Sequence, residues 1–256
     1  MSLVEIEQNE SGASVRAKLN TLIGFANTHT LVTDAAGDGS TDDTSVIQAA
    51  LDAQAGAGGG LVILPGRHKV TGLSLPSGVI LAGFGRGVTK LIMPAATNAD
   101  VVLGEAITGS AVKDLTIEGP GNVTGPVWWA GVRLTASSHC LVDNVEVLDP
   151  DAACVAFVDC SDCHVARSFG RNSDSRYANG AGTSCAYGFW IDCSDNCTVS
   201  ESYAYQTLQP FVIVGNDTPI SGTNDHRGTR SADVTVGNKI IGCTADRMIQ
   251  HAFNIN

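Results

Sequence analysis

Gly131-Val-Arg-Leu134-Thr-Ala-Ser-Ser-His-Cys140-Leu-Val-Asp-Asn-Val145, Val155-Ala-Phe157-Val-Asp-Cys160-Ser-Asp-Cys163-His-Val165 and Gly188-Phe-Trp190-Ile-Asp-Cys193-Ser-Asp-Asn-Cys197-Thr-Val199 are three versions of one phrase. Cys140 and Cys163 are 23 residues apart, and Cys163 and Cys197 are 34 apart, the excess falling near Arg171 to Tyr187. Asp233-Val-Thr-Val-Gly-Asn238 repeats the phase once more. A unit of about 22–24 residues with period-2 strands is one turn of a stacked solenoid, in which each coil buries one face and hydrogen-bonds to its neighbours. The phrase predicts a right-handed single-stranded parallel β-helix, an all-β fold.

Upstream, Leu61-Val-Ile-Leu-Pro65, Leu73-Ser-Leu75, Val79-Ile-Leu81 and Lys90-Leu-Ile-Met93 read as short strands ended by Gly, Pro or Asn. Before them, Ser45 to Gln54 has an apolar face of Val46, Ile47, Ala50 and Leu51, and the glycines from 56 to 60 stop it. Asp42 or Asp43 is the expected cap of this helix over residues 44–54, which covers the open end of the solenoid. Residues 1–30 form a separate extension. Within it Val15, Leu19, Leu22 and Ile23 recur at helical spacing behind Ser14, a stripe that needs a partner in the main domain or in another copy. The β-helix domain then runs over 31–256. His251 to Asn256 reads as a strand entering a new coil, so the C-terminal end is expected to be truncated.

The 256 residues carry 15 Lys+Arg against 26 Asp+Glu, a net charge of −11, which disfavours nucleic acid and anionic membranes as partners. No run approaches the roughly 20 apolar residues of a membrane span. The first residues lack the basic and apolar regions of a signal peptide.

Gly37-Asp-Gly-Ser-Thr-Asp-Asp-Thr44, Ile47-Gln-Ala-Ala-Leu51, Gly58-Gly-Gly-Leu-Val-Ile-Leu-Pro65-Gly66 and Val79-Ile-Leu-Ala-Gly-Phe-Gly85 resemble the opening segment of the pectate-lyase-like right-handed β-helix superfamily, which includes phage tailspikes, polysaccharide lyases, glycoside hydrolases and mannuronan epimerases. The resemblance is specific over 34–93 and architectural over 110–256. It implies a polysaccharide partner, bound and in the enzymes cleaved, a virion or extracellular location, and a homotrimer if the tailspike likeness holds. The alternative is a non-catalytic structural or adhesive module. The sequence lacks the Asn-Thr-Asp, Gly-His-Gly and Arg-Ile-Lys set of polygalacturonases and the Asp-Pro-His-Glu motif of the epimerases, so no family catalytic residue transfers.

The site residues are therefore read from the chain itself. Asp159 and Asp192, like Asp162 and Asp195, are expected to stack in adjacent coils about 5 Å apart, near the spacing of a retaining glycosidase pair. The competing reading is an Asx turn at each coil corner; a third is a cation held between the carboxylates, with calcium the ion that oxygen ligands admit. Two insertions, expected to leave the same side of the solenoid, supply Arg176 and Tyr177, and Asp225, His226, Arg227 and Arg230. Asp225 and His226 would move protons, and the arginines and Tyr177 would hold substrate charge. Trp128 and Trp129 would offer a stacking platform. The cysteines are expected to be reduced, stacked core thiols, with zinc disfavoured because the pairs occupy equivalent coil positions. The Asp-rich stretch over 37–44 lacks EF-hand spacing and reads as a turn before a helix.

Overall fold

The computed structural model describes residues 29–121, 129–171, 187–214, 236–248 and 253–255. The expected N-terminal helix lies outside these residues. The chain winds in coils. β1 (His29–Leu31), β2 (Asp38–Asp42) and α1 (Thr44–Gly56) begin it, followed by β3 (Gly60–Leu64), β4 (Arg67–Lys69) and β5 (Leu73–Ser74), then β6 (Val79–Gly83), β7 (Lys90–Ile92) and β8 (Val102–Glu105). Two long-stranded coils come next: β9 (Ala111–Glu118) with β10 (Ala130–Thr135), and β11 (Leu141–Leu148) with β12 (Ala153–Val158). The last three are β13 (His164–Ala166), β14 (Phe169–Arg171) and β15 (Tyr187–Asp192); β16 (Thr198–Ser200), β17 (Tyr203–Tyr205) and β18 (Gln209–Val214); and β19 (Lys239–Ile241), β20 (Thr244–Asp246) and β21 (Phe253–Ile255).

Corresponding strands of successive coils pair in parallel, giving a 14-stranded sheet and a 7-stranded sheet ordered β5, β8, β10, β12, β15, β18, β21. This is the predicted right-handed parallel β-helix, the hand that twisted strands favour for parallel crossovers. His29 and Thr30, assigned from sequence to the extension, already pair with Leu61 and Val62.

Inward-pointing residues stack into ladders. Val62, Leu81, Val112, Val142, Val165, Val199 and Ile240 occupy one register position through seven coils. On the other sheet Val102, Val132, Val155, Phe189 and Phe211 form another, with the last two rings stacked at 5.3 Å. Each such buried side chain contributes about 1.5–3 kcal/mol through removal from water.

The corners are made by residues with positive φ. Asp114, Asn144, Arg167 and Glu201 turn the larger sheet at the same place in four coils, with φ of 55°, 54°, 47° and 48°. Asn144 Nδ2 donates to Asp114 Oδ1 at 2.7 Å, tying two corners together. Between the sheets each corner has two left-handed residues three apart: Ala136 and His139, Asp159 and Asp162, Cys193 and Asn196. Asp and Asn tolerate this conformation because their side chains bond locally.

That spacing corrects the sequence alignment. Val158 pairs with Asp192, so Asp159 is equivalent to Cys193, not to Asp192. Ser161 bridges Asp195, so Asp162 and Asp195 are also offset. Trp190 pairs with Ala156 on the outer surface, while Ile191 takes the inward place expected for it. Cys140, Cys163 and Cys197 do form a ladder, since the residues that follow them pair in register. Cys193 does not match Cys160, whose N–H instead donates to Ser194 Oγ at 2.9 Å. The seven described cysteines are free thiols, and six are buried; Cys185 lies outside the described residues. Hydrogen bonding to Cys163 and burial push Cys140 and Cys160 up, and burial pushes up Cys154, so these stay protonated.

α1 covers the first coil with Ile47 and Leu51, both fully buried. Gln48 covers the sheet edge at β5: its amide donates to the Ser74 carbonyl and accepts from the Ser74 N–H, both at 2.9 Å, where among the described residues no further strand pairs. The expected cap is divided. Asp42 accepts from the Thr44 N–H at 3.0 Å. Asp43 holds the preceding turn, accepting from the Ala36 and Gly37 N–H groups at 2.8 and 3.0 Å and facing His68 Nδ1 at 2.8 Å. Burial opposes the Asp43 charge, but the bonds from His68, Gly37 and Ala36 outweigh it and hold the carboxyl below its usual range.

Candidate functional site

The outer surface of the seven-stranded sheet gathers the unusual side chains. Alternation sends Val155 and Phe157 of β12 inward and Ala156 and Val158 outward. Pairing then stacks Leu103, Arg133, Ala156, Trp190 and Val212 in one outward column. A second column holds Glu105, Thr135, Val158, Asp192 and Val214. Tyr187 and Trp190 lie 5.1 Å apart and pack with Ala130, Ala153, Ala156 and Val212 in a buried cluster separate from the interior. Beside them Arg133, 4% exposed, directs Nε to both oxygens of Asp100 at 3.1 Å. Asp100 Oδ1 also accepts the Ala130 N–H at 2.6 Å, so the pair pins the start of β10.

These groups form a floor; the accessible polar groups are at the edge where the strands end. Glu105, Ala136, His139 and Asp162 are exposed there, and Asp159 and Asp195 are half-buried. Asp192 is 2% exposed, at the last position of β15, and its carbonyl accepts the Asp159 N–H at 3.0 Å. The backbones are adjacent, but the carboxylates are one register step apart and differently exposed. The stacked pair expected from sequence is therefore not present, because the corner geometry, not the repeated Asp-Cys-Ser-Asp text, sets the register.

The insertions bracket this sheet. Residues 122–128 and 172–186 lead into β10 and β15, and residues 215–235 follow β18. Each connects it to the larger sheet, the first two at the N-terminal ends of its strands and the third at a C-terminal end, rather than leaving from equivalent corners. Trp129, half-buried, directly precedes β10, and its carbonyl accepts the Ala152 N–H at 2.9 Å. Trp128, Arg176, Tyr177, Asp225, His226, Arg227 and Arg230 lie outside the described residues. Among the described residues, no three His, Cys, Asp or Glu side chains are grouped to hold a metal ion. No helix of the described residues is long and apolar enough to cross a membrane.

Sequence reading missed Arg133, Asp100 and Tyr187. A charge and a ring alternating with Val132, Leu134 and Phe189 are the signal for the outward column, and the misregistered Trp190 concealed it.

The chain is a right-handed parallel β-helix, and solved structures share that fold. It superposes on ORF18 of Geobacillus virus E2 with a TM-score of 0.68 at 18% identity, covering 93% of this chain and 46% of that one. A tailspike protein variant of E. coli bacteriophage HK620, in complex with a pentasaccharide, gives a TM-score of 0.57 at 16% identity over 73% and 36% of the two chains. At these identities the likeness is one of fold. By sequence, the chain is 37% identical over 115 residues to mannuronan C5-epimerase AlgE5 of Azotobacter vinelandii, covering 38% of this chain and 12% of the relative. It is 40% identical over 100 residues to alginate lyase 7 of the same organism, covering 33% and 12%. The chain thus spans a small part of these curated relatives. No family model matches it.

Proposed function

We propose that this protein recognises a polysaccharide across the outer surface of the seven-stranded sheet and cleaves it as a lyase or glycoside hydrolase. The observation that carries this reading is the outer surface of this one sheet, where the Tyr187–Trp190 cluster and the Arg133–Asp100 pair lie side by side on strands that the three insertions enter or leave. The buried groups hold the floor rigid, as a binding surface requires. Contact with sugar falls to the rim, to Asp159 and Trp129, and to Trp128, Arg176, Tyr177, Arg227 and Arg230 on the insertions. Asp225 and His226 are the proton-transfer candidates, with Asp192 behind Asp159. The epimerase and lyase relatives support an acidic glycan. With a net charge of −11, the protein would hold a uronate through the insertion arginines or through a calcium ion shared with the ligand's own carboxylates.

Incubation with polyuronates and neutral bacterial and algal polysaccharides tests this. Absorbance from unsaturated uronate marks a lyase; new reducing ends without it mark a hydrolase. The offset between Asp159 and Asp192 favours a second reading, in which the chain binds without cleaving. Retained glycan with no product from any polymer supports that reading, and no retention defeats both. The phage neighbours support a tailspike-like role on a virion or outside the cell; light scattering of the purified chain tests the homotrimer that the resemblance to tailspikes implies.

A further inference from the structure

One interior column is built of sulfur. Ser110, Cys140, Cys163 and Cys197 each stand directly before a strand of the larger sheet, and the residues after them, Ala111, Leu141, His164 and Thr198, pair in register. Each directs its side chain to the carbonyl two residues back: Ser110 Oγ to Thr108 at 3.4 Å, Cys140 Sγ to Ser138 at 3.2 Å, and Cys163 Sγ to Ser161 and Cys197 Sγ to Asp195, both at 3.4 Å. The three sulfurs therefore take the same place in three successive coils, and all are buried. The backbone ties the coils together here, the His164 N–H donating to the Cys140 carbonyl and the Thr198 N–H to the Cys163 carbonyl, both at 2.9 Å. The other corner columns make the same carbonyl bond with serine and a single cysteine: Ser137, Cys160 and Ser194 in one, Ser168, Ser202 and Cys243 in another. Serine is enough for the corner, so the corner does not account for three thiols in succession.

Stacked strands lie about 4.8 Å apart, inside the Cα separation of roughly 4.4–6.8 Å that a disulfide spans, and a small approach of the Cβ atoms closes the bond. The thiols also bond to one another in order, Cys140 and Cys160 donating to Cys163, and Cys163 to Cys197. We propose that Cys163 and Cys197 are a disulfide site, closed by a peroxide, that locks together the ends of the turn of chain carrying residues 172–186. The donated bonds favour the thiolate that accepts them and hold Cys163 and Cys197 below the usual thiol value, whereas Cys140 stays a protonated donor. Peroxide reaches the buried column on local opening. The Cys163 thiolate attacks one peroxide oxygen; the S–O bond forms, the O–O bond breaks, and the departing hydroxide takes up the proton that Cys163 released, giving water and a sulfenic acid. Cys197 then attacks the Cys163 sulfur; the S–S bond forms, the S–O bond breaks, and the hydroxide leaves with the Cys197 proton as a second water. Two thiols are oxidised by two electrons and one peroxide is reduced.

Hydrogen peroxide added to the full chain, purified in reductant and then freed of it, tests the site. Mass mapping of a digest made without reductant is expected to show the Cys163 and Cys197 peptides joined, with the loss of two hydrogens. The melting temperature is expected to rise by roughly 5–10 °C and to fall back on reduction. Cys163→Ser and Cys197→Ser should each abolish both changes, and Cys140→Ser should keep them; Ser110 already holds a hydroxyl in this column, bonded to the Pro76 carbonyl at 2.7 Å. A link from Cys163 to Cys140 or Cys160, sulfinic acid at Cys163 without a link, or a column left unoxidised would overturn the proposal, and the map of the unaltered chain decides among these even where a variant fails to fold. A link that leaves the melting temperature unchanged would overturn the lock.

Discussion

The two sheets share one interior and present opposite exteriors. On the larger sheet the outward side chains are solvated ion pairs and half-buried rings: Lys90 with Glu118, Arg171 Nε 3.4 Å from Glu146, and Phe169 5.7 Å from Tyr203 beneath the Arg86 guanidinium. On the smaller sheet the outward groups are buried: an apolar aromatic cluster and an ion pair whose two side chains are each 4% exposed. Identical inner ladders do not require this difference. The proposed glycan surface is placed on the seven-stranded sheet because its outer side chains exclude water over several coils.

Substitutions that separate the interior from the two exteriors sharpen the comparison. Phe157→Ala leaves a cavity between Leu134 and Ile191 and is expected to lower unfolding free energy by about 3–5 kcal/mol, read by denaturant titration. Asp100→Ala strands the Arg133 charge in a buried place and is expected to lose about 3 kcal/mol; a loss near that of a surface pair would show the two exteriors to be alike. Trp190→Ala should weaken glycan retention at least about tenfold while Tyr203→Ala leaves it unchanged, measured on a polysaccharide column. The reverse order would move the binding surface to the larger sheet. Arg171→Ala, at a pair whose arginine is 45% exposed, should change stability by less than about 0.5 kcal/mol.

Acid distinguishes a third region, the turn before α1. The Asp43 carboxyl is lowered by its hydrogen bonds, so it stabilises the fold fully above the ordinary aspartate value of about 3.9, and that contribution is lost as pH falls toward the lowered value. Melting temperatures taken from pH 5 downward should therefore fall more steeply in the unaltered protein than in Asp43→Asn. Parallel slopes would remove Asp43 from the account.

Much of this was legible in the chain. Period-2 runs, a recurring Cys-x-Val phase and glycine stops determine a stacked parallel solenoid, because each coil must repeat the alternation of the last to bury the same column. The helix expected over 44–54 was likewise readable, from four apolar residues and a glycine stop, and runs over Thr44–Gly56. Tertiary structure alone decided the register. The text Asp-Cys-Ser-Asp invites alignment of Asp159 with Asp192, but Asn196 is an extra residue, and the hydrogen-bond ladder is anchored by left-handed corner residues three apart. That moves Asp192 onto the strand, turns Trp190 outward and leaves Asp159 on the corner. It also decided the partners of Arg133 and Asp100, which are 33 residues apart and meet because one coil stacks on the next. Local pattern specifies that alternate residues face inward; only the ladder between coils specifies which alternate set does so and which outward residues become neighbours.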